Sequence, residues 1–373
     1  MTDHLPTGTA PGLDELDRLL SSADVSLLPP AEADAFRLEH IRAAVAWHIE
    51  RNERYARFCE LRGFGVDRLK TVEDLAAVPL LPAALFKRGA HVVASRPADD
   101  AVLHTTSSGT QGTVSVVPRD DRTLNRFFAT CGIGAYEVLG QQRSELRLFN
   151  LGPLEAGHLW IAYVMSGISL FTDGDCYVED DTFLLDALLR DLTAHTGSPV
   201  MLVGPPPLLM DAAEAAREAG LRLHPDSLVA TIGGWKRASG RSIPRAEFVG
   251  LMLDAFGLAD AARVRDTFNM VELNTVMFEC AHHRLHVPPW LYADAKDPRT
   301  LEPAEPGETG VLGFVDATPT SYPGFVLSDD FGRVDRGVEC GCGRTGDVLH
   351  LERRINRVEG RGCALKLDRR TNR

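Results

Sequence analysis

The segment Ala101-Val102-Leu103-His104-Thr105-Thr106 runs directly into Ser107-Ser108-Gly109-Thr110-Gln111-Gly112-Thr113. Ala101–His104 reads as an apolar strand, and the loop after it carries two glycines among hydroxyl and amide side chains. Glycine lets successive backbone N–H groups turn toward one point, and such nests bind anions. The hydroxyls of Ser107, Ser108, Thr110 and Thr113 add neutral donors suited to phosphate oxygens. A plain solvated turn would favour Asn, Asp or Pro here. No lysine follows Gly112 at the place a Walker loop requires. The expectation is a phosphate cradle of a different kind.

Working outward, short apolar strands alternate with helical stretches of ten to fifteen residues. Upstream, Phe36, Leu38, Ile41, Ala44, Val45 and His48 recur at helical spacing, predicting one long helix from Asp34 to about Gly63. A short helix is expected around Ala83–Lys87. Downstream, helices are expected over Arg122–Leu139, Thr182–Thr196 and Ala246–Phe256. Strands are expected at Leu146–Asn150, Pro199–Val203, Leu228–Ile232 and Val264–Phe268. This alternation implies an α/β domain with at least partly parallel sheets. From Gly310 the texture changes to Val311–Val315 and Val334–Leu351 between glycine and proline turns, predicting a β-rich closing segment. The division expected is a large domain over residues 1–350, with 1–12 loose, and a short C-terminal segment over 351–373.

The 373 residues are 44% apolar and 25% charged, an ordinary globular composition. A net charge of −12 supplies no basic surplus for nucleic acid. The polar opening and the lack of a long apolar run predict a cytoplasmic protein with no membrane span. Seven cysteines are an odd number, unsuited to full disulfide pairing. Cys59, Cys131 and Cys176 are expected as small buried hydrophobes. Cys280, Cys340, Cys342 and Cys363 crowd the last quarter of the chain.

The loop resembles the phosphate loop of the acyl-adenylate-forming superfamily. Four further motifs occur in order: Val78-Pro79-Leu80-Leu81-Pro82 with Phe86-Lys87, Gly233-Gly234-Trp235-Lys236, Gly343-Arg344-Thr345-Gly346, and Arg361-Gly362-Cys363. Together they are similar to the LuxE-type acyl-protein synthetases and, more distantly, to phenylacetate–CoA ligases. The resemblance covers about Val78 to Cys363. It implies a large N-terminal adenylate-forming domain with mixed sheets and helices, a β-rich segment, and a truncated C-terminal lid. It implies ATP and Mg²⁺ as cofactors, and activation of a fatty or aryl acid as acyl-AMP before transfer to a thiol or other nucleophile. Partners implied are a small carboxylic acid, then CoA, a carrier protein or an acyl reductase, with homo-oligomers allowed. Two other readings stand beside it. One is an aryl-acid ligase of a natural-product pathway passing its acyl group to CoA, a carrier protein, an amine or a hydroxyl. The other is a non-catalytic nucleotide-binding subunit.

Residue by residue, Phe268-Asn269-Met270-Val271-Glu272 matches a segment whose glutamate helps to hold Mg²⁺. Glu272 is retained, while Val271 lacks the hydroxyl that touches the α-phosphate, and Asn269 is placed with the nucleotide. Asp330 matches the aspartate that binds the ribose hydroxyls, a task suited to an acceptor of two hydrogen bonds. Gly233-Gly234-Trp235 resembles the segment lining the adenine site, and Arg354 the hinge arginine. Larger relatives carry a lysine on a C-terminal domain of about a hundred residues; here either adenylation proceeds without it, or Lys236 or a partner protein supplies the charge. Cys363, flanked by Arg357 and Arg361, matches the acyl-accepting cysteine, since nearby cations favour the thiolate. Wall positions for the acid are expected in Phe149–Trp160 and Val203–Pro207, including His158 and Trp160. Finally, Cys280, His286, Cys340 and Cys342 supply the four ligands of a closed, structural Zn²⁺ site, with His282 or His283 as alternatives to His286. Free thiols on a β-rich edge are the bland alternative.

Overall fold

The structure, a computed structural model, describes residues 11–95, 103–107, 114–140, 146–154, 157–170, 172–180, 182–234 and 240–354. Its centre is a five-stranded parallel sheet in the order Val264–Arg265, Leu228–Thr231, Val200–Gly204, Arg147–Asn150, Gly174–Cys176. Parallel neighbours need crossovers, and the helices Trp160–Ser169, Leu185–Ala194, Pro206–Glu218 and Arg245–Phe256 supply them. The central strands Val200–Gly204 and Leu228–Thr231 are buried throughout because both faces are covered, whereas the edge strand Gly174–Cys176 is largely exposed. Leu148, Met201, Val203, Leu228 and Ala230 join the main core, while the alternating Phe149, Val200, Leu202 and Val229 join a second core under three of those helices.

The closing segment is a separate, mainly antiparallel sheet, ordered Leu285–His286, Thr345–Arg354, Gly324–Glu339, Gly310–Asp316, Leu291–Lys296. Leu81–Pro82 adds to it in parallel, with Leu81 opposite Val326. The β-rich texture therefore begins earlier than Gly310, and the boundary expected at residue 350 falls inside the strand Thr345–Arg354. A bulge lies between Phe331 and Gly332. A Cβ on Gly332 would sit 2.1 Å from the His350 carbonyl oxygen, so glycine is required there.

Several sequence expectations need correction. The long helix is two, Pro30–Arg51 and Glu53–Leu61, because the Asn52 side chain accepts from Tyr55 N–H at 2.9 Å and starts the second. Residues 11 and 12, expected to be loose, open the helix Pro11–Leu19. The Thr182–Thr196 helix begins only at Leu185; Thr182–Phe183 is a strand paired with Val178–Glu179. Asp121–Gly134 is α-helical, but Ala135–Leu139 widens into a π turn. The Val264–Phe268 strand divides at Asp266, whose N–H is held by Glu279 and whose carboxylate accepts from Thr231. Cys59 and Cys131 are buried, with burial raising both thiol pKa values, whereas Cys176 is half-buried and donates to the Gly152 carbonyl. Among the described residues, no helix is long and apolar enough to cross a membrane.

Candidate active site and thiol knuckle

Leu103–Thr106 and Val116–Arg119 form an antiparallel hairpin, with Thr106 opposite Val116. Its tip, Ser108–Thr113, lies outside the described residues. At the hairpin root, Ser107 N–H donates to the Ser115 carbonyl, and Ser115 N–H returns to Ser107 Oγ, both at 3.2 Å. Thr106 N–H donates to the His158 carbonyl at 2.7 Å, which draws the Phe149–Trp160 segment alongside.

Glu272 meets this root. Ser115 Oγ donates to Glu272 Oε1 at 2.5 Å, and both residues are buried. Beneath them lies Arg119, fully buried, which donates to the carbonyls of Val271 at 2.9 Å and Leu273 at 3.2 Å. It also donates to Thr105 Oγ1 and Asn274 Oδ1, and its guanidinium carbon sits 3.5 Å from the Trp160 ring centroid. Burial lowers the Arg119 pKa, opposed by Tyr322, Glu272 and Asp316; an arginine remains charged throughout. Asn269 is tied into the same corner, accepting from Trp160 Nε1 at 2.6 Å and donating to the Thr275 carbonyl.

Gly233 and Gly234 follow the carboxyl end of Leu228–Thr231, the edge where open α/β sheets hold ligands. Gly233 has φ 76°, a left-handed conformation that suits glycine. Val203–Pro207 leaves the same edge. Asp330 stands on the other sheet, opposite Arg354 in the pairing of Gly324–Glu339 with Thr345–Arg354. Its N–H donates to Ser328 Oγ at 3.0 Å. Trp235, Lys236 and Cys363 lie outside the described residues.

On the antiparallel sheet, the ligand atoms of Cys280, His286, Cys340 and Cys342 all lie within 4.8 Å of one another. Tetrahedral metal–sulfur bonds of about 2.3 Å require sulfur–sulfur edges of about 3.8 Å. Cys280 Sγ and Cys340 Sγ are 3.8 Å apart, and Cys342 Sγ is 3.3 Å from His286 Nε2. Burial pushes the Cys280 thiol up to about 12 and, with Arg344 and Arg284, lowers His286 to about 4, leaving a neutral imidazole. At Cys342 burial opposes ionisation, but donation from the Arg344 backbone and the neighbouring thiols brings the pKa below the ordinary value. The donor set and its spacing fit zinc. His283 is engaged with Glu279 at 3.4 Å and His282 lies against Gly341, so His286 is the imidazole in the cluster.

The family model for acyl-protein synthetases of the LuxE type matches residues 11–371. The chain belongs to the LuxE acyl-protein synthetase family. Two long-chain-fatty-acid–luciferin-component ligases are 33% identical to the synthetase. The one from Vibrio harveyi aligns over 88% of this chain and 86% of its own, and the one from Aliivibrio fischeri over 90% and 89%. A 2-hydroxyisobutyryl-CoA ligase solved with 2-HIB-AMP and CoA shares the fold at a TM-score of 0.71 and 18% identity. That match covers 95% of this chain and 73% of the ligase. The synthetase is thus an enzyme that activates an acid with ATP as acyl-adenylate and transfers the acyl group.

Sequence reading missed Ser115 and Arg119. Ser115 stands just beyond the loop, and its hydroxyl reaches Glu272. Arg119 is an isolated arginine ending an apolar strand. The usable signal was its company, since an arginine inside Val116–Arg119 must find buried acceptors.

Proposed function

We propose that the synthetase adenylates a long-chain fatty acid at the Ser107–Thr113 hairpin and passes the acyl group to a thiol for a protein partner. The observation that carries this reading is the contact of Ser115 and Glu272 at the root of the hairpin, 157 residues apart in sequence. The fatty acid and the protein acceptor are suggested by the names of the two relatives.

Backbone N–H groups and hydroxyls of the hairpin would hold the ATP phosphates, with Gly233, Gly234 and Trp235 at the base and Asp330 at the ribose. The acid carboxylate attacks the α-phosphorus in line, and pyrophosphate leaves. Glu272 fits a magnesium ion because it brings a hard carboxylate to the phosphate site. When bound, that ion neutralises charge on the phosphates. Asn269, locked by Trp160 and Thr275, orients the strand that precedes Glu272. Lys236 is assigned the supply of positive charge at the adenylate, Arg354 the hinge, and Cys363 the acceptance of the acyl group as a thioester. Thioester formation releases AMP and leaves the thiol proton to solvent. Cys280, His286, Cys340 and Cys342 would hold one zinc ion with no open position, which makes it structural. A cytoplasmic location completes the proposal.

Acid-dependent pyrophosphate exchange tests the first half, using a panel of fatty and aromatic acids. Exchange is expected to peak with long-chain fatty acids; exchange with aromatic acids alone, or with none, overturns the substrate assignment. Labelled fatty acid should stay on denatured wild-type protein and be lost in Cys363→Ala. Retention in that variant removes Cys363 as acceptor.

A further inference from the structure

We infer that Arg119 is a positioning residue that holds the phosphate hairpin in register with the Glu272 loop and so aims the Glu272 carboxylate. The inference rests on the reading that the hairpin carries ATP and that Glu272 serves its magnesium ion.

Arg119 belongs to the second arm of the hairpin, and its guanidinium reaches the first arm through Thr105 Oγ1. The same group crosses to the other wall of the site. Its Nη2 donates to the carbonyls of Val271 and Leu273, which bracket Glu272, and its Nε to the side chain of Asn274, the next residue on. Tyr322 Oη, 3.4 Å from Nη2, caps the fork. The backbone on both sides of one carboxylate is gripped, so the position of Glu272 follows the position of Arg119. Ser115, four residues earlier on the same arm, then meets the carboxylate directly.

Arginine suits this task and lysine does not. Five N–H donors in a rigid plane can satisfy acceptors on two walls together, whereas an ammonium is a point donor on a flexible stem. The guanidinium is fully buried and stacked on Trp160, so it acts through Glu272 without touching substrate.

The test compares wild type with Glu272→Gln, Arg119→Lys, the double variant, and Thr105→Val, which unties one arm of the hairpin. Two readouts are needed: pyrophosphate exchange as a function of magnesium, and the rise in Tm on adding magnesium-ATP. Arg119→Lys is expected to lower the exchange kcat about 30-fold and raise the half-saturating magnesium several-fold, with the KM for the acid within about twofold. Its magnesium-ATP stabilisation should fall below half of the wild-type value. In the Glu272→Gln background the lysine substitution should add less than about threefold, because both residues act through one carboxylate. Thr105→Val should lower exchange about fivefold, again with a raised magnesium requirement.

Losses that multiply in the double variant overturn the inference. So does an unchanged magnesium dependence in folded Arg119→Lys or, should that variant fail to fold, in Thr105→Val. Wild-type exchange in Glu272→Gln removes the Glu272 reading itself, an outcome separate from multiplicative losses.

Discussion

The Glu272 corner and the thiol knuckle are both polar, both partly buried, and both assembled from distant segments, yet they are closed in opposite ways. The corner balances itself. Arg119 supplies donors to Thr105, Val271, Leu273 and Asn274, and Ser115 supplies one to Glu272. The knuckle instead crowds three thiols and a neutral imidazole within 4.8 Å, ligands in search of a cation. A preorganised polar site places charge for chemistry, whereas a ligand cluster is completed from outside and then braces the fold. The two should therefore fail differently, one in rate and the other in stability.

The largest effect is expected from Glu272→Gln, which keeps shape and removes charge. Pyrophosphate exchange should fall about 100-fold or more while Tm stays within about 2 °C. A fall in Tm with little loss of exchange would place Glu272 on the structural side of the comparison. Next, Cys342→Ser should abolish the bound metal, measured by elemental analysis, and lower Tm by on the order of 5–10 °C. Its exchange at low temperature should stay within about threefold of wild type, because the knuckle lies on the antiparallel sheet, apart from the hairpin. A smaller break of the corner is Trp160→Phe, which deprives Asn269 of its donor. One lost hydrogen bond of about 1 kcal/mol predicts roughly a fivefold drop in kcat/KM.

The smallest effect separates two sources of acid lability. His48 is buried, bonded to Ser95 Oγ at 2.7 Å and to the Pro319 carbonyl at 3.1 Å, and burial lowers its pKa to about 3. The unfolded chain takes up that proton first, so the stability is complete above about pH 6.5 and drains as pH falls toward 3. His48→Gln should flatten the dependence of Tm on pH between about 6 and 4 by a few degrees. Any steep fall that persists in this variant belongs to other groups, with protonation of the knuckle ligands the first to examine by metal analysis.

Much of this was legible in residue types. Cys340-Gly341-Cys342 marked a potential ligand pair, and the structure brings it together with Cys280 and His286. The parallel core was legible from its period of short strands and helices. The helix break at Asn52 was written in a capping residue, yet the apolar period ran through it. The split at Asp266 was invisible, since Val264–Phe268 is a continuous strand-like run and the groups that hold Asp266, Thr231, Glu279 and Arg245, come from other elements. Arg119 and Ser115 left no pattern because the Val271–Asn274 segment they meet lies 152–157 residues away.

That separation has a temporal side. Arg119 meets Val271 and Leu273, 152 and 154 residues later, and Tyr322, 203 residues later. At about 5–20 residues per second of synthesis, the hairpin waits roughly 10–40 s for its last anchor. For roughly the first three quarters of that interval the nascent hairpin has neither the Glu272 carboxylate nor the carbonyls of Val271 and Leu273. A buried guanidinium whose backbone acceptors Val271 and Leu273 emerge more than 150 residues later joins the two walls of the corner only late in synthesis.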